Sequence, residues 1–141
     1  MIIYYLSLLI ALVTLVSATL KVRAGKSLQP IWLPLEIQGS FVWADGIVFG
    51  VFWTIASLLF LILNFELNWF YLLFLIFWAV RAAGEIIYWF LNQFNPRKNQ
   101  SSTFQSLNRF FKNEYVTSFI FQIWWQCVLV LCIFGIIVTL Y

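Results

Sequence analysis

The chain contains no histidine, and charged residues make up only 9% of its 141 residues. Histidine is the commonest metal ligand and a frequent general base, so its absence disfavours many catalytic and metal centres. The sequence also has no metal-ligand cluster, no nucleophile beside a base and no glycine-rich phosphate loop. We therefore expect no catalytic residue, no metal and no cofactor, although an enzyme that uses only Asp45, Glu85 and Tyr88 stays open.

Cysteine is scarce as well. The two cysteines, Cys127 and Cys132, lie in the last apolar run and would be about 140° apart on a helix of 3.6 residues per turn. They cannot pair with each other, so we interpret both as packing residues.

What the chain does contain is apolar sequence, at 64% of all residues against roughly 45–50% in an ordinary globular protein. Three charge-free runs are each about 20 residues long, which is enough to cross a hydrocarbon core. A fourth meets that length if it tolerates Arg81 and Glu85. We predict one all-α domain, a polytopic bundle of four transmembrane helices with approximate spans 2–20, 42–64, 68–91 and 115–140.

The basic residues predict how the chain crosses the membrane. All except Arg81 fall in two connecting segments, residues 21–41 and 92–114. The positive-inside rule then places both segments in the cytoplasm and both termini on the opposite face of a cell or inner membrane. The net charge of +3 indicates contact with anionic headgroups rather than with nucleic acid. The first apolar run has neither a preceding basic residue nor a cleavage motif after it, so we expect no cleaved signal peptide.

Both cytoplasmic segments contain apolar residues. The first carries Trp32 between Pro30 and Pro34, which predicts an irregular segment lying in the interface or folded between helices. In the second, Arg109 and Lys112 alternate with aromatic and aliphatic residues, which predicts a short amphipathic surface helix. This helix either steers the chain into the fourth span or serves in gating or partner docking.

Small residues line one side of each of the first two spans. They are Ser7, Ala11, Thr14 and Ala18 in the first, and Gly46, Gly50, Thr54 and Ser57 in the second. Such residues let helix backbones approach closely, so both sides should be packing faces. For the second span we favour packing within the chain. The face of the first span is also a candidate contact for an oligomer.

Aromatic residues make up 21% of the chain, and most lie where membrane interfaces are predicted. We interpret these as interfacial belt residues, with Trp89 on the cytoplasmic side. Trp124 and Trp125 are exceptions because they lie well inside the fourth span.

A polar stripe in the third span, formed by Trp78, Arg81, Glu85, Tyr88 and Asn92, predicts the functional site. Ionisable residues in hydrocarbon usually face a protein interior and mark a site, which singles out Arg81 and Glu85. An antiparallel hairpin of spans two and three would bring Asp45 to the depth of Glu85. Counted at the same rise from the cytoplasmic end of span four, Gln122 reaches the depth of Glu85 and Gln126 reaches that of Arg81. We predict one connected network of Asp45, Arg81, Glu85, Tyr88, Gln122 and Gln126.

Two carboxylates and one guanidinium suggest a proton or small-cation site. Arg81 balances one carboxylate, and the other, desolvated beside a like charge, could bind and release a proton. Trp78 and Trp124, together with Tyr88, offer aromatic faces to an organic cation. The leading hypothesis is a proton-linked transporter or channel protomer. We expect a homo-oligomer or a membrane partner subunit, because four helices leave little room to enclose a polar route.

Each of these residues also has a structural interpretation. Asp45 could be a first-turn residue favoured by the helix dipole. Arg81 and Glu85 could be a self-neutralising i,i+4 pair, and the glutamines could be interhelical hydrogen-bonding residues. The alternative function is therefore an accessory or assembly subunit of a membrane complex, in which the network only fixes helix packing.

Overall fold

The computed structural model describes residues 2–26, 42–94 and 109–141. Regular structure within these ranges is helical, and it comprises α1 (Ile2–Arg23), α2 (Trp43–Leu63), α3 (Leu67–Phe94) and α4 (Glu114–Leu140). Each helix is long and apolar enough to cross a membrane. The prediction of an all-helical chain with four helices long and apolar enough to cross a membrane is thus confirmed for the described residues, and each helix begins and ends within three residues of its predicted span. The proline-containing segment and most of the predicted surface helix lie outside the described residues.

The helices form two compact units, one containing α1 and α2 and the other α3 and α4. In the first unit, the Ser57 hydroxyl donates to Ser7 Oγ at 2.9 Å. Lys21 Nζ lies 5.9 Å from the centre of the Trp43 ring. The start of α1 thus contacts the end of α2, and the end of α1 contacts the start of α2. The two helices are therefore antiparallel.

Small side chains allow α1 and α2 to pack closely. Ala11, Ala18 and Gly50 are buried, and a Cβ added to Gly50 would lie 2.7 Å from the Cβ of Leu15. Such a contact is not possible without moving one backbone, so position 50 requires glycine. This confirms that the small residues form packing faces. It also corrects the suggestion that the face of α1 is an oligomer contact, because α2 already covers it.

Local hydrogen bonds determine where helices begin and end. Asn64 ends α2 in the left-handed conformation, at φ 51°, which asparagine tolerates better than most residues. The Tyr4 hydroxyl donates to the adjoining Phe65 carbonyl at 3.0 Å. At the start of α4, Asn113 is the N-cap and its Oδ1 accepts from the Tyr115 N–H at 2.9 Å, which satisfies one free amide of the first turn.

The second unit is also an antiparallel pair, with one register along its length. Asn92 of α3 is hydrogen-bonded to Ser118 of α4. Seventeen residues further along each helix, in opposite directions, a Cβ on Gly135 would lie 3.0 Å from the Leu75 side chain. Paired positions therefore sum to 210 at both ends. This register determines which polar residues of α3 and α4 lie at the same level.

Candidate intramembrane polar site

The centre of the candidate site is an ion pair within α3. Arg81 Nη2 lies 2.5 Å from Glu85 Oε1, and the two residues are four positions apart. Glu85 is only 8% exposed. It precedes the end of α3 by nine residues, or about 14 Å at 1.5 Å per residue. The pair therefore lies in the middle part of a helix that is long and apolar enough to cross a membrane, and not in its last turn.

Trp89 is a second partner of the Glu85 carboxylate. Its indole Nε1 donates to Glu85 Oε2 at 3.0 Å, and its ring stacks on Phe121 of α4 at 4.6 Å between centroids. Trp89 is 1% exposed. The assignment of Trp89 to the interfacial belt was therefore wrong, because the residue lies on the same helix face as Glu85, one turn away, and that face packs on α4.

Two further polar contacts join α3 to α4. The Asn92 amide donates to Ser118 Oγ at 3.0 Å, and Gln93 Nε2 donates to Gln122 Oε1. A buried polar group inside a membrane must find a partner in the protein, so such pairs hold the helices together. The polar seam of this unit consists of Arg81, Glu85, Trp89, Asn92 and Gln93 on α3 and of Ser118 and Gln122 on α4.

The remaining residues predicted for this site on α3 and α4 lie nearer the surface. Tyr88 is 38% exposed and Trp124 is 41% exposed, while Gln126 is also exposed. Trp78 is half-buried, with its ring edge-on to Phe74 and Phe77. Of the residues predicted for the site, Arg81 and Glu85 form an ion pair. Gln122 is hydrogen-bonded to Gln93, which was not among the predicted residues. The buried tryptophan of α4 is Trp125 rather than its neighbour.

Asp45 belongs to the other unit, in the first turn of α2. Its Oδ2 accepts from the backbone N–H of Val42 at 3.3 Å. A carboxylate in this position satisfies a free amide and interacts favourably with the helix dipole. Asp45 therefore has the geometry of the first-turn interpretation given above.

Sequence reasoning did not assign Trp89 or Gln93 to the site. It placed Asn92 on the polar stripe of the third span and Ser118 on the polar face of the fourth, but it included neither in the predicted network. A signal for them exists, since Glu85, Trp89 and Asn92 recur at spacings of four and three, the repeat of one helix face. Ser118 and Gln122 have the matching spacing on α4. The sequence does not determine the register of α3 against α4. This register decides which side-chain amide of α3 is hydrogen-bonded to which residue of α4.

The Glu85 carboxylate faces hydrogen-bond donors on both oxygens. A guanidinium and an indole N–H only donate hydrogen bonds, and an ionised carboxylate only accepts them. The donors and the acceptor in this arrangement are therefore matched. The described ranges contain no group of three or more potential metal ligands.

Comparison with known proteins adds no functional assignment. No family model matches the chain, and neither a curated protein nor a solved structure has significant similarity to it. The site must therefore be interpreted from its own geometry.

Proposed function

We propose that this chain is a protomer of a small proton-linked transporter or channel, and that Glu85 is the group that exchanges the proton or holds a small cation. The observation that carries the proposal is the Arg81–Glu85 ion pair, with Glu85 buried and Arg81 half-buried, in the middle of a helix long and apolar enough to cross a membrane. Charged groups at such depth are costly, and proteins retain them mainly where ions or substrates pass.

In this proposal the proton adds to a Glu85 oxygen and neutralises the carboxylate. Arg81 then loses its partner and turns toward water or an incoming anionic group, while the Trp89 indole keeps the carboxyl group in place. Release of the proton restores the ion pair. The position of Arg81 therefore links the charge of Glu85 to whether water or an anionic group occupies the transport path beside the pair.

We also propose that the working form is a homo-oligomer or contains a membrane partner subunit. Gln126 supports this, because it lies twelve residues into α4 and is exposed. An amide at that depth needs a partner outside the α3–α4 pair or a water-lined path. For orientation, we propose that residues 21–41 and 92–114 are cytoplasmic and that both termini lie outside, in a cell or inner membrane.

The decisive experiment is Glu85→Gln, which keeps the shape of the side chain and removes its charge. The variant and the wild-type protein are reconstituted in vesicles with an internal pH-sensitive dye. We expect wild-type vesicles to show proton flux and Glu85→Gln vesicles to lose it. Because Arg81 loses its counter-charge in this variant, flux is compared per amount of folded protein in the vesicles. The matched control is Glu66→Gln, an exposed carboxylate outside the polar seam, which should retain full flux. Equal flux in both variants would reject the proposal.

A second candidate function is that of an accessory or assembly subunit. The observation that favours it is the pairing of polar groups within the seam, Asn92 with Ser118 and Gln93 with Gln122. Polar groups that satisfy one another fix helix packing without moving anything. Purification from the native membrane followed by reconstitution separates the two functions. An assembly subunit should bring a fixed partner that Asn92→Leu releases, and it should show no proton flux even with that partner present.

A further inference from the structure

Trp125 is a buried tryptophan whose indole N–H needs a hydrogen-bond acceptor. The residue is 0% exposed, and its Nε1 has no acceptor among the residues that the structure describes. Buried tryptophan N–H groups nearly always have a hydrogen-bond partner, because the group forms good bonds with water when the chain is unfolded. The position therefore calls for an acceptor.

The register of α3 and α4 places this donor at the level of Glu85. From the Asn92–Ser118 hydrogen bond, Glu85 lies seven residues back along α3 and Trp125 seven residues forward along α4. Since the helices are antiparallel, seven residues of equal rise, or about two turns, bring the two positions to one level. Both residues belong to the buried faces of their helices.

The chemistry of these two groups selects the acceptor. Trp125 can only donate, and the ionised carboxylate of Glu85 can only accept. A ligand between them must accept from the indole and donate to the carboxylate. An anion would be repelled by Glu85, and a metal cation offers no acceptor to Trp125. A hydroxyl group meets both requirements, and water is its smallest carrier.

We propose that Trp125 and Glu85 together bind an internal water molecule. The Trp125 N–H donates to the water oxygen, and the water donates to the Glu85 carboxylate, which also contacts Arg81 and Trp89. Buried waters typically form about three hydrogen bonds to groups that would otherwise lack partners. The proposal deepens the proposed function, on which its role in proton exchange rests, because this water would deliver the proton to Glu85.

The test replaces the indole N–H with sulfur by incorporating β-(3-benzothienyl)alanine at position 125, which keeps ring size and removes only the donor. The same replacement at position 89 is the matched control, since that N–H donates directly to Glu85. Both proteins and the wild type are studied in lipid nanodiscs. The readouts are the melting temperature and, with ¹⁵N-labelled indoles, magnetisation transfer from water to each indole proton.

We expect the Trp125 indole proton to show a cross-peak to water and the Trp89 indole proton to show none. The replacement at position 125 should lower the melting temperature by about 3 °C, since the water loses one partner. If the replacement raises the melting temperature, or if the Trp125 proton shows no transfer from water, the proposal is wrong. These readouts need no transport, so a bound water without proton flux would reject only the proposed function.

Discussion

Gly50 and Leu15 are packed so tightly that a Cβ on Gly50 would lie 2.7 Å from the Leu15 Cβ and 2.8 Å from its Cα. No side-chain rotation relieves a contact with backbone atoms, so the α1–α2 pair depends on this glycine. Gly84 in α3 provides the contrast, since a Cβ there would meet nothing within 4 Å.

The first prediction compares these two glycines. Gly50→Ala should destabilise the protein by about 2 kcal/mol or more, because overpacking forces the backbones apart. Gly84→Ala should be neutral or stabilising by up to about 1 kcal/mol, since alanine restricts the unfolded chain and favours helix. Thermal unfolding in one detergent measures both. Equal effects of the two substitutions would contradict the close packing of α1 on α2.

The second prediction concerns the hydrogen bond from Tyr4 to the Phe65 carbonyl at 3.0 Å. Tyr4→Phe should cost about 1 kcal/mol, because it removes one hydrogen bond and keeps the ring that lies 5.8 Å from Phe60. Tyr5→Phe is the control, since Tyr5 is exposed, and it should leave stability unchanged. Denaturation midpoints that move together for the two variants would show that the Tyr4 hydroxyl has no structural role.

The third prediction tests the register of α3 against α4. Asn92 and Ser118 are both buried and bonded to each other. A double-mutant cycle of Asn92→Leu and Ser118→Ala should give a coupling energy of about 0.5–2 kcal/mol, the range of hydrogen bonds between membrane helices. A cycle of Asn92→Leu with Thr139→Val should give none, because Thr139 donates to its own helix at Gly135. Additive effects in the first cycle would place Ser118 away from Asn92.

The helices themselves could be predicted from the sequence, because a membrane sets a minimum length of apolar chain and the composition meets it four times. The Arg81–Glu85 pair could be predicted too, since positions i and i+4 meet on any helix. The surroundings of the pair could not. Trp89 and Trp124 are both tryptophans in apolar runs, and only the packing of α3 on α4 buries the first and leaves the second exposed.

The partner of Gln122 shows a second limit of sequence reasoning. Counting rise from the membrane interface assigned this residue to the depth of Glu85, whereas the structure pairs it with Gln93, about two turns closer to the end of α3. Depth counted along a helix assumes where that helix enters the membrane and ignores the register with its neighbour. A shift of one or two turns changes every pairing while leaving the apolar pattern intact.

The last prediction concerns the ion pair. Arg81→Ala leaves the Glu85 carboxylate without its counter-charge, and breaking a buried pair costs roughly 3–5 kcal/mol. The variant should therefore express poorly or melt far below the wild type. Removing both charges, in Arg81→Met with Glu85→Gln, should recover much of that stability, because neutral groups are far less costly to hold in lipid. Thermal unfolding in nanodiscs measures each protein, and proton flux should be lost in the double variant despite its stability. An Arg81→Ala protein that melts like the wild type would instead show that the Glu85 charge is already compensated by water or headgroups, and the buried-pair interpretation would then fail.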